Sequence, residues 1–142
     1  MLFRSLASTP GIFLGRLANF VNGELWGRAS SVPWAVIFPD SPVPLEPRHP
    51  SQLYEAGLEG LVLGAILFGI KRVTRREGAV IAGLMVSYPV LRILGECFRE
   101  PDAHIRYLFG GITYGQVLSG GMLVLGLGLW GWVSRGKGRG QR

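Results

Sequence analysis

Cysteine, histidine and acidic side chains are scarce in this chain of 142 residues: one Cys and two His, with nine Asp plus Glu set against fifteen Lys plus Arg. One cysteine, Cys97, excludes a disulfide scaffold. With no base near it in sequence, and expected within the membrane, it reads as an inert thiol. The two histidines, His49 and His104, have no partner at ligand spacing, so no metal site is expected and both read as surface or turn residues. Charged residues amount to 17% while hydrophobic ones reach 48%, which excludes a disordered chain. A phosphate-cradling glycine loop is also missing. The twenty-two glycines are scattered, mostly through apolar segments, where they let helices approach closely.

What is present is a mean hydropathy of +0.31 together with a net charge of +6 and a pI near 10.2. Charged and apolar residues must therefore be segregated along the chain, as in a membrane protein. The clearest span is 107–134, which carries no charge and is long enough to cross a hydrocarbon core of ~30 Å. Three weaker spans precede it at 6–21, 51–70 and 78–94, each with a polar or charged residue that a lipid-facing helix avoids. The expected fold is an all-α integral membrane protein of about four transmembrane helices, forming one membrane domain over residues 1–142.

Short cytoplasmic loops collect Lys and Arg, which orients these spans. Lys71, Arg72, Arg75 and Arg76 lie in the loop 71–77, and Arg135, Lys137, Arg139 and Arg142 in the tail 135–142, placing both segments inside. Eight of the fifteen basic residues are thereby explained, so the high pI calls for no nucleic-acid partner. Residues 23–50 and 99–108 fall outside. No small-residue cleavage pattern follows the first apolar stretch, which is expected to stay as a helix. Residues 31–50 hold six of the nine prolines and read as a stiff outer loop with a short strand at Trp34–Phe38.

Ionisable residues at membrane depth cost several kcal/mol unless paired or hydrated, so they mark function or assembly. They form three clusters here. Arg16 and Asn19 share a helix face, with Glu24 just beyond a break at Gly23. Ser51 reads as an N-cap, followed by an acidic stripe of Glu55 and Glu59 at i,i+4. Arg92, Glu96 and Arg99 make a charged face at the outer end of the third span. Each cluster alone reads as an ion pair that aids assembly. Their convergence on one leaflet favours a polar site open to that leaflet. Arginine is the residue for holding phosphate, and Arg16 and Arg92 both sit at headgroup depth, which points to a phospholipid ligand. A small channel or transporter would instead spread polar residues through the midplane.

Three blocks then carry a resemblance. GRLANFVNGELWGR (15–28), RHPSQLYEAGLEG (48–60), and LRILGECFREPDAH followed by a GGIT-GQ-LS pattern (91–119) are similar, in that order, to the bacterial prolipoprotein diacylglyceryl transferases. The resemblance implies transfer of the diacylglyceryl group of phosphatidylglycerol to the lipobox cysteine thiol of a prolipoprotein. The product is a thioether, glycerol phosphate is released, and no cofactor is implied. It places the reaction at the outer face of the bacterial inner membrane. Residue by residue, it implies that Arg16 and Arg92 hold the headgroup and stabilise charge on the leaving phosphate. Asn19, Glu24 and Glu96 fall on further active-site positions, and Gly27 on a substrate-binding one. For Glu96, one turn from Arg92, two roles stay open: orienting that arginine or acting directly in catalysis. Family chains also carry upstream helices with a His-Gly-Gly motif and an active-site tyrosine, which this sequence does not contain. It resembles the C-terminal half of such an enzyme, and the 142 residues alone are expected to give no transfer. The alternative is a non-catalytic fragment or subunit that keeps an anionic phospholipid site.

Overall fold

The structure, a computed structural model, describes residues 2–74, 76, 78–100 and 114–135. These contain four helices: α1 (Leu2–Val21), α2 (Ser51–Val73), α3 (Ala79–Glu96) and α4 (Tyr114–Arg135). Three of them, α2, α3 and α4, are long and apolar enough to cross a membrane. The expected all-α membrane architecture of about four helices is present. The segment 6–21 is helical, but α1 is too polar to join the other three, because Arg16, Asn19, Pro10 and its Ser and Thr residues dilute its apolar content. Helices α2 and α3 lie over the expected second and third spans and run slightly further at their C-terminal ends. The last helix begins at Tyr114, and residues 107–113 of the expected span lie outside the described residues.

Helix α2 changes its winding along its length. Ser51–Glu55 is α-helical, Ala56–Val62 takes the wider π form, and Leu63–Val73 returns to α. Such π turns are rare and concentrate at functional sites. Helix α1 packs along this π segment, and α3 packs against both α2 and α4. The contact between α1 and α2 is a close approach at Gly60, where a Cβ would stand 2.6 Å from Phe13 Cβ. One turn further on, Gly64 faces Thr9 Oγ1 in the same manner. Small residues four apart let two helix backbones come together in this way. Leu63, Leu67, Val80 and Leu91 form the buried core, with Leu6, Leu58 and Tyr88 packed against it. Helix α4 keeps Val124, Leu125 and Trp132 exposed, as suits a helix bathed in hydrocarbon.

The outer loop is tied down by short pairings. Strand β1 (Val36–Ile37), within the expected Trp34–Phe38, pairs antiparallel with β2 (Pro47–Arg48). Isolated bridges join Gly27 to Arg99 and Ala29 to Arg48, stitching the loop to the chain that follows α3. Arg99 therefore leaves the helix, which ends at Glu96, and does not continue the charged face formed by Arg92 and Glu96. Phe38, 3% exposed, plugs the loop against Phe20 and Trp26 with ring centroids at 6.0 and 6.4 Å.

Candidate functional site

The three polar clusters meet. Arg16, on α1, donates from Nη1 to Glu55 Oε2 at 2.9 Å and from Nη2 to Glu59 Oε2 at 3.0 Å. Arg92, on α3, donates from Nη1 to the other oxygen of the same carboxylate, Glu59 Oε1, at 3.2 Å. Both carboxylates come from the first half of α2, and the Glu59 side chain is 1% exposed. One buried carboxylate thus holds two guanidiniums carried by two other helices. Two positive and two negative groups balance, which is the condition for keeping them at membrane depth.

Around this network the remaining expected residues take distinct places. Asn19 lies one turn beyond Arg16, and its carbonyl accepts from the Glu24 backbone N–H at 3.1 Å, closing the end of α1. Glu24 follows Gly23, whose φ of 70° turns the chain out of the helix. Its carboxylate accepts from Asn22 Nδ2 at 3.3 Å, while its carbonyl accepts from the buried Gln52 amide at 2.7 Å. Ser51 does not cap α2 as expected. Pro50 occupies the cap position, and Ser51 Oγ instead donates to the Leu25 carbonyl at 3.1 Å. Ser51 and Gln52 thereby dock the 24–25 turn onto the start of α2, about one turn before Glu55.

Arg92 takes its carboxylate from α2, while Glu96, one turn further along α3, sits against α4, where a Cβ on Gly115 would lie 2.9 Å from both of its carboxylate oxygens. The carboxylate that Arg92 contacts is thus that of Glu59. Gly27 has a packing reason of its own. A Cβ there would meet the His49 carbonyl oxygen at 2.5 Å and the Phe98 carbonyl oxygen at 2.7 Å, so only glycine fits between the two strands of chain it joins. Its N–H donates to His49 O and the next N–H, of Arg28, donates to Phe98 O, each at 3.0 Å.

His49 is not the solitary turn residue expected from its sequence. Its Nδ1 is 3.1 Å from the Tyr54 hydroxyl, which also accepts from Trp34 Nε1 at 2.6 Å, and Phe98 packs edge-on against both His49 and Tyr54. These aromatic groups wall an apolar cleft of about 740 Å³ that continues along Leu53, Leu58 and Leu61. Beneath them Arg48, 3% exposed, bonds Glu46 at 2.6 Å, Glu100, and the Gly27 carbonyl at 3.3 Å. Cys97 lies on the surface of the protein, with Sγ donating to the Ile93 carbonyl at 3.4 Å. His104 lies outside the described residues.

The model of the prolipoprotein diacylglyceryl transferase family matches residues 4–132, a stretch that includes every member of the ion-pair network. The chain belongs to that family. A phosphatidylglycerol–prolipoprotein diacylglyceryl transferase of Rhodospirillum centenum is 56% identical over 127 residues, covering 87% of this chain and 46% of the relative. One from Bradyrhizobium diazoefficiens is 51% identical over 121 residues, 82% of this chain and 43% of the relative. One from Legionella pneumophila strain Corby is 48% identical over 126 residues, 88% and 48% respectively. The chain spans about half the length of these curated relatives.

Sequence reasoning placed Glu55 and Glu59 in one of the converging clusters but gave neither residue a role or a partner. Their signal was an acidic stripe at membrane depth, but the arginines they engage lie 43 and 33 residues from Glu59 along the chain. Arg48 was missed, since nothing in a proline-rich loop marks a buried cation.

Proposed function

We propose that this chain supplies the lipid-phosphate site of a transferase that moves the diacylglyceryl group of phosphatidylglycerol onto the lipobox cysteine of a prolipoprotein. The observation that carries this reading is the pair of guanidiniums, Arg16 and Arg92, on the two oxygens of one carboxylate. A phosphodiester offers two non-bridging oxygens at nearly the same spacing, and arginine is suited to such planar, charge-assisted contacts. The names of the relatives support the same donor and acceptor for the full-length enzyme.

In the reaction, the cysteine sulfur attacks the glyceryl carbon that bears the phosphate. A carbon–sulfur bond forms, the carbon–oxygen bond breaks, and the electron pair leaves with glycerol phosphate. The thiol proton goes to a base. Charge grows on the departing phosphate, and that is the charge two fixed guanidiniums stabilise. Glu24, Asn19 and the docked 24–25 turn shape the outer wall of the site, Gly27 fixes the backbone beside it, and Glu96 borders it on the α4 side. The charge asymmetry of the loops supports an inner-membrane protein whose site faces the periplasm or cell exterior.

The test is binding of phosphatidylglycerol to the 142-residue chain in phosphatidylcholine nanodiscs. Preference for the anionic lipid, lost in Arg16→Ala and in Arg92→Ala, is expected. Equal affinity for phosphatidylglycerol and phosphatidylcholine refutes the reading.

A further inference from the structure

Glu59 has no task in the transfer step, yet it is wholly buried and touches both arginines. Its position is specified closely. It lies on the π-wound turn of α2, next to Gly60, where the backbone of α1 makes its closest approach through Phe13. Arg16 has a second carboxylate in Glu55, whereas the ion pair described for Arg92 is with Glu59. The contacts Glu59 makes, two Nη atoms from two helices, are those that a bound phosphate requires.

We propose that Glu59 is the displaceable counter-ion of the phosphate site: its carboxylate holds Arg16 and Arg92 at phosphate spacing and yields those donors to a lipid phosphate when one binds. This rests on the reading that the two arginines hold the lipid phosphate. Without ligand, Arg16, Arg92, Glu55 and Glu59 sum to zero. A phosphodiester brings one negative charge into the site. The phosphomonoester left after transfer brings about 1.5 to 2 at neutral pH, judging by phosphorylated side chains. Glu59 remains beside the site as a like charge, so it opposes the monoester more than the diester. When the product leaves, Glu59 recloses on both arginines. It is therefore a positioning residue that also biases the site toward substrate and against product.

The experiment compares wild type with Glu59→Gln, which keeps the shape and removes the charge, in phosphatidylcholine nanodiscs titrated with phosphatidylglycerol or, separately, with soluble glycerol phosphate. Loss of the competing charge is expected to lower the half-saturating phosphatidylglycerol fraction about tenfold, within the usual range of coupling between charged sites. Affinity for glycerol phosphate is expected to rise by a larger factor, which separates the lipid from the free phosphate. A role in helix packing alone weakens binding of both, and a Glu59→Gln affinity equal to or below wild type overturns the proposal. Glu59→Asp keeps the charge but is too short to span both guanidiniums. It is expected to fold and to gain less, and an Asp variant that folds and binds no tighter than wild type also overturns it. A wild type indifferent to phosphatidylglycerol removes the phosphate site and this proposal together. A selective wild type with an unchanged Gln variant removes the counter-ion alone.

Discussion

Replacing Gly60 by alanine tests whether helix spacing sets the site. The added methyl would stand 2.6 Å from Phe13 Cβ and 3.1 Å from Phe13 Cα, both at the root of a side chain, so no rotamer change relieves the contact and α1 must move away from α2. Overpacking of this kind costs typically ~1–3 kcal/mol. Alanine recovers about 0.5–1 kcal/mol through its better helix propensity, leaving a net loss on the order of 1–2 kcal/mol. Gly57 provides a control on the same turn, because a Cβ there has nothing within 4 Å. Gly57→Ala is therefore expected to be neutral or to stabilise by up to about 1 kcal/mol. Arg16 is three residues beyond Phe13 on α1, so the displacement also lengthens its 2.9 and 3.0 Å contacts with Glu55 and Glu59. Equilibrium unfolding in mixed micelles, followed by tryptophan fluorescence, reads the stability, and phosphatidylglycerol titration reads the site. The expected result is that Gly60→Ala loses both while Gly57→Ala keeps both. If the two variants behave alike, the claim that the Gly60 crossing positions the arginines is refuted.

Three further substitutions probe the scaffold around the site. Arg48→Met removes a buried cation bonded to Glu46, Glu100 and the Gly27 carbonyl, and is expected to cost about 1–3 kcal/mol, with faster proteolysis in the 23–50 loop. Unchanged cleavage rates would show that the loop does not depend on it. Gly27→Ala drives a methyl into the His49 and Phe98 carbonyls and is expected to cost about 1–3 kcal/mol, which a denaturant midpoint equal to wild type contradicts. Arg76→Leu removes the donor to the Val133 and Ser134 carbonyls at 2.7 and 3.0 Å, a cation placed at the C-terminal end of α4. Amide exchange over 130–135 is expected to quicken, with about 0.3–1 kcal/mol lost; protection equal to wild type rules out the cap.

The sequence alone made α2, α3 and the body of α4 legible because an apolar run long enough to cross a bilayer is a local property. Arg16 and Arg92 were legible for a related reason: a charge at membrane depth is conspicuous against the residues beside it. What stayed hidden depends on pairing across distance. Glu59 meets Arg16 and Arg92 only once α1 crosses α2 at Gly60 and α3 returns alongside, and no periodicity encodes that crossing. The helical spacing of Arg92 and Glu96 suggested a local pair, but Arg92 reaches across to α2 instead. Ser51 was misread in the same way. Its type and position fit a cap, yet its hydroxyl is taken by the Leu25 carbonyl from a turn 26 residues earlier. The polarity of α1 was equally visible in its residues, which mark it as the least apolar of the four helices.

The arrangement has a consequence for how a charged site persists in a membrane protein before its ligand arrives. Two unpaired guanidiniums at this depth would each carry a desolvation cost of several kcal/mol. Pairing them with carboxylates drawn from one helix removes the net charge but fills the donors that a phosphate needs. The structure reconciles the two demands by uneven sharing: Arg16 engages Glu55 and one oxygen of Glu59, and Arg92 the other oxygen of Glu59. Arg92, with the longest contact at 3.2 Å and the more exposed side chain, 22% against 14%, is the guanidinium that gives up least when it turns to a ligand. Removing Arg92 should therefore weaken lipid binding more than it weakens the fold. Removing Arg16, which anchors α1 to both Glu55 and Glu59, should weaken the fold at least as much as the binding. Comparing unfolding midpoints and phosphatidylglycerol affinities of Arg16→Ala and Arg92→Ala separates the anchor from the ligand arm, and equal losses in both measurements for both variants would show that no such division exists.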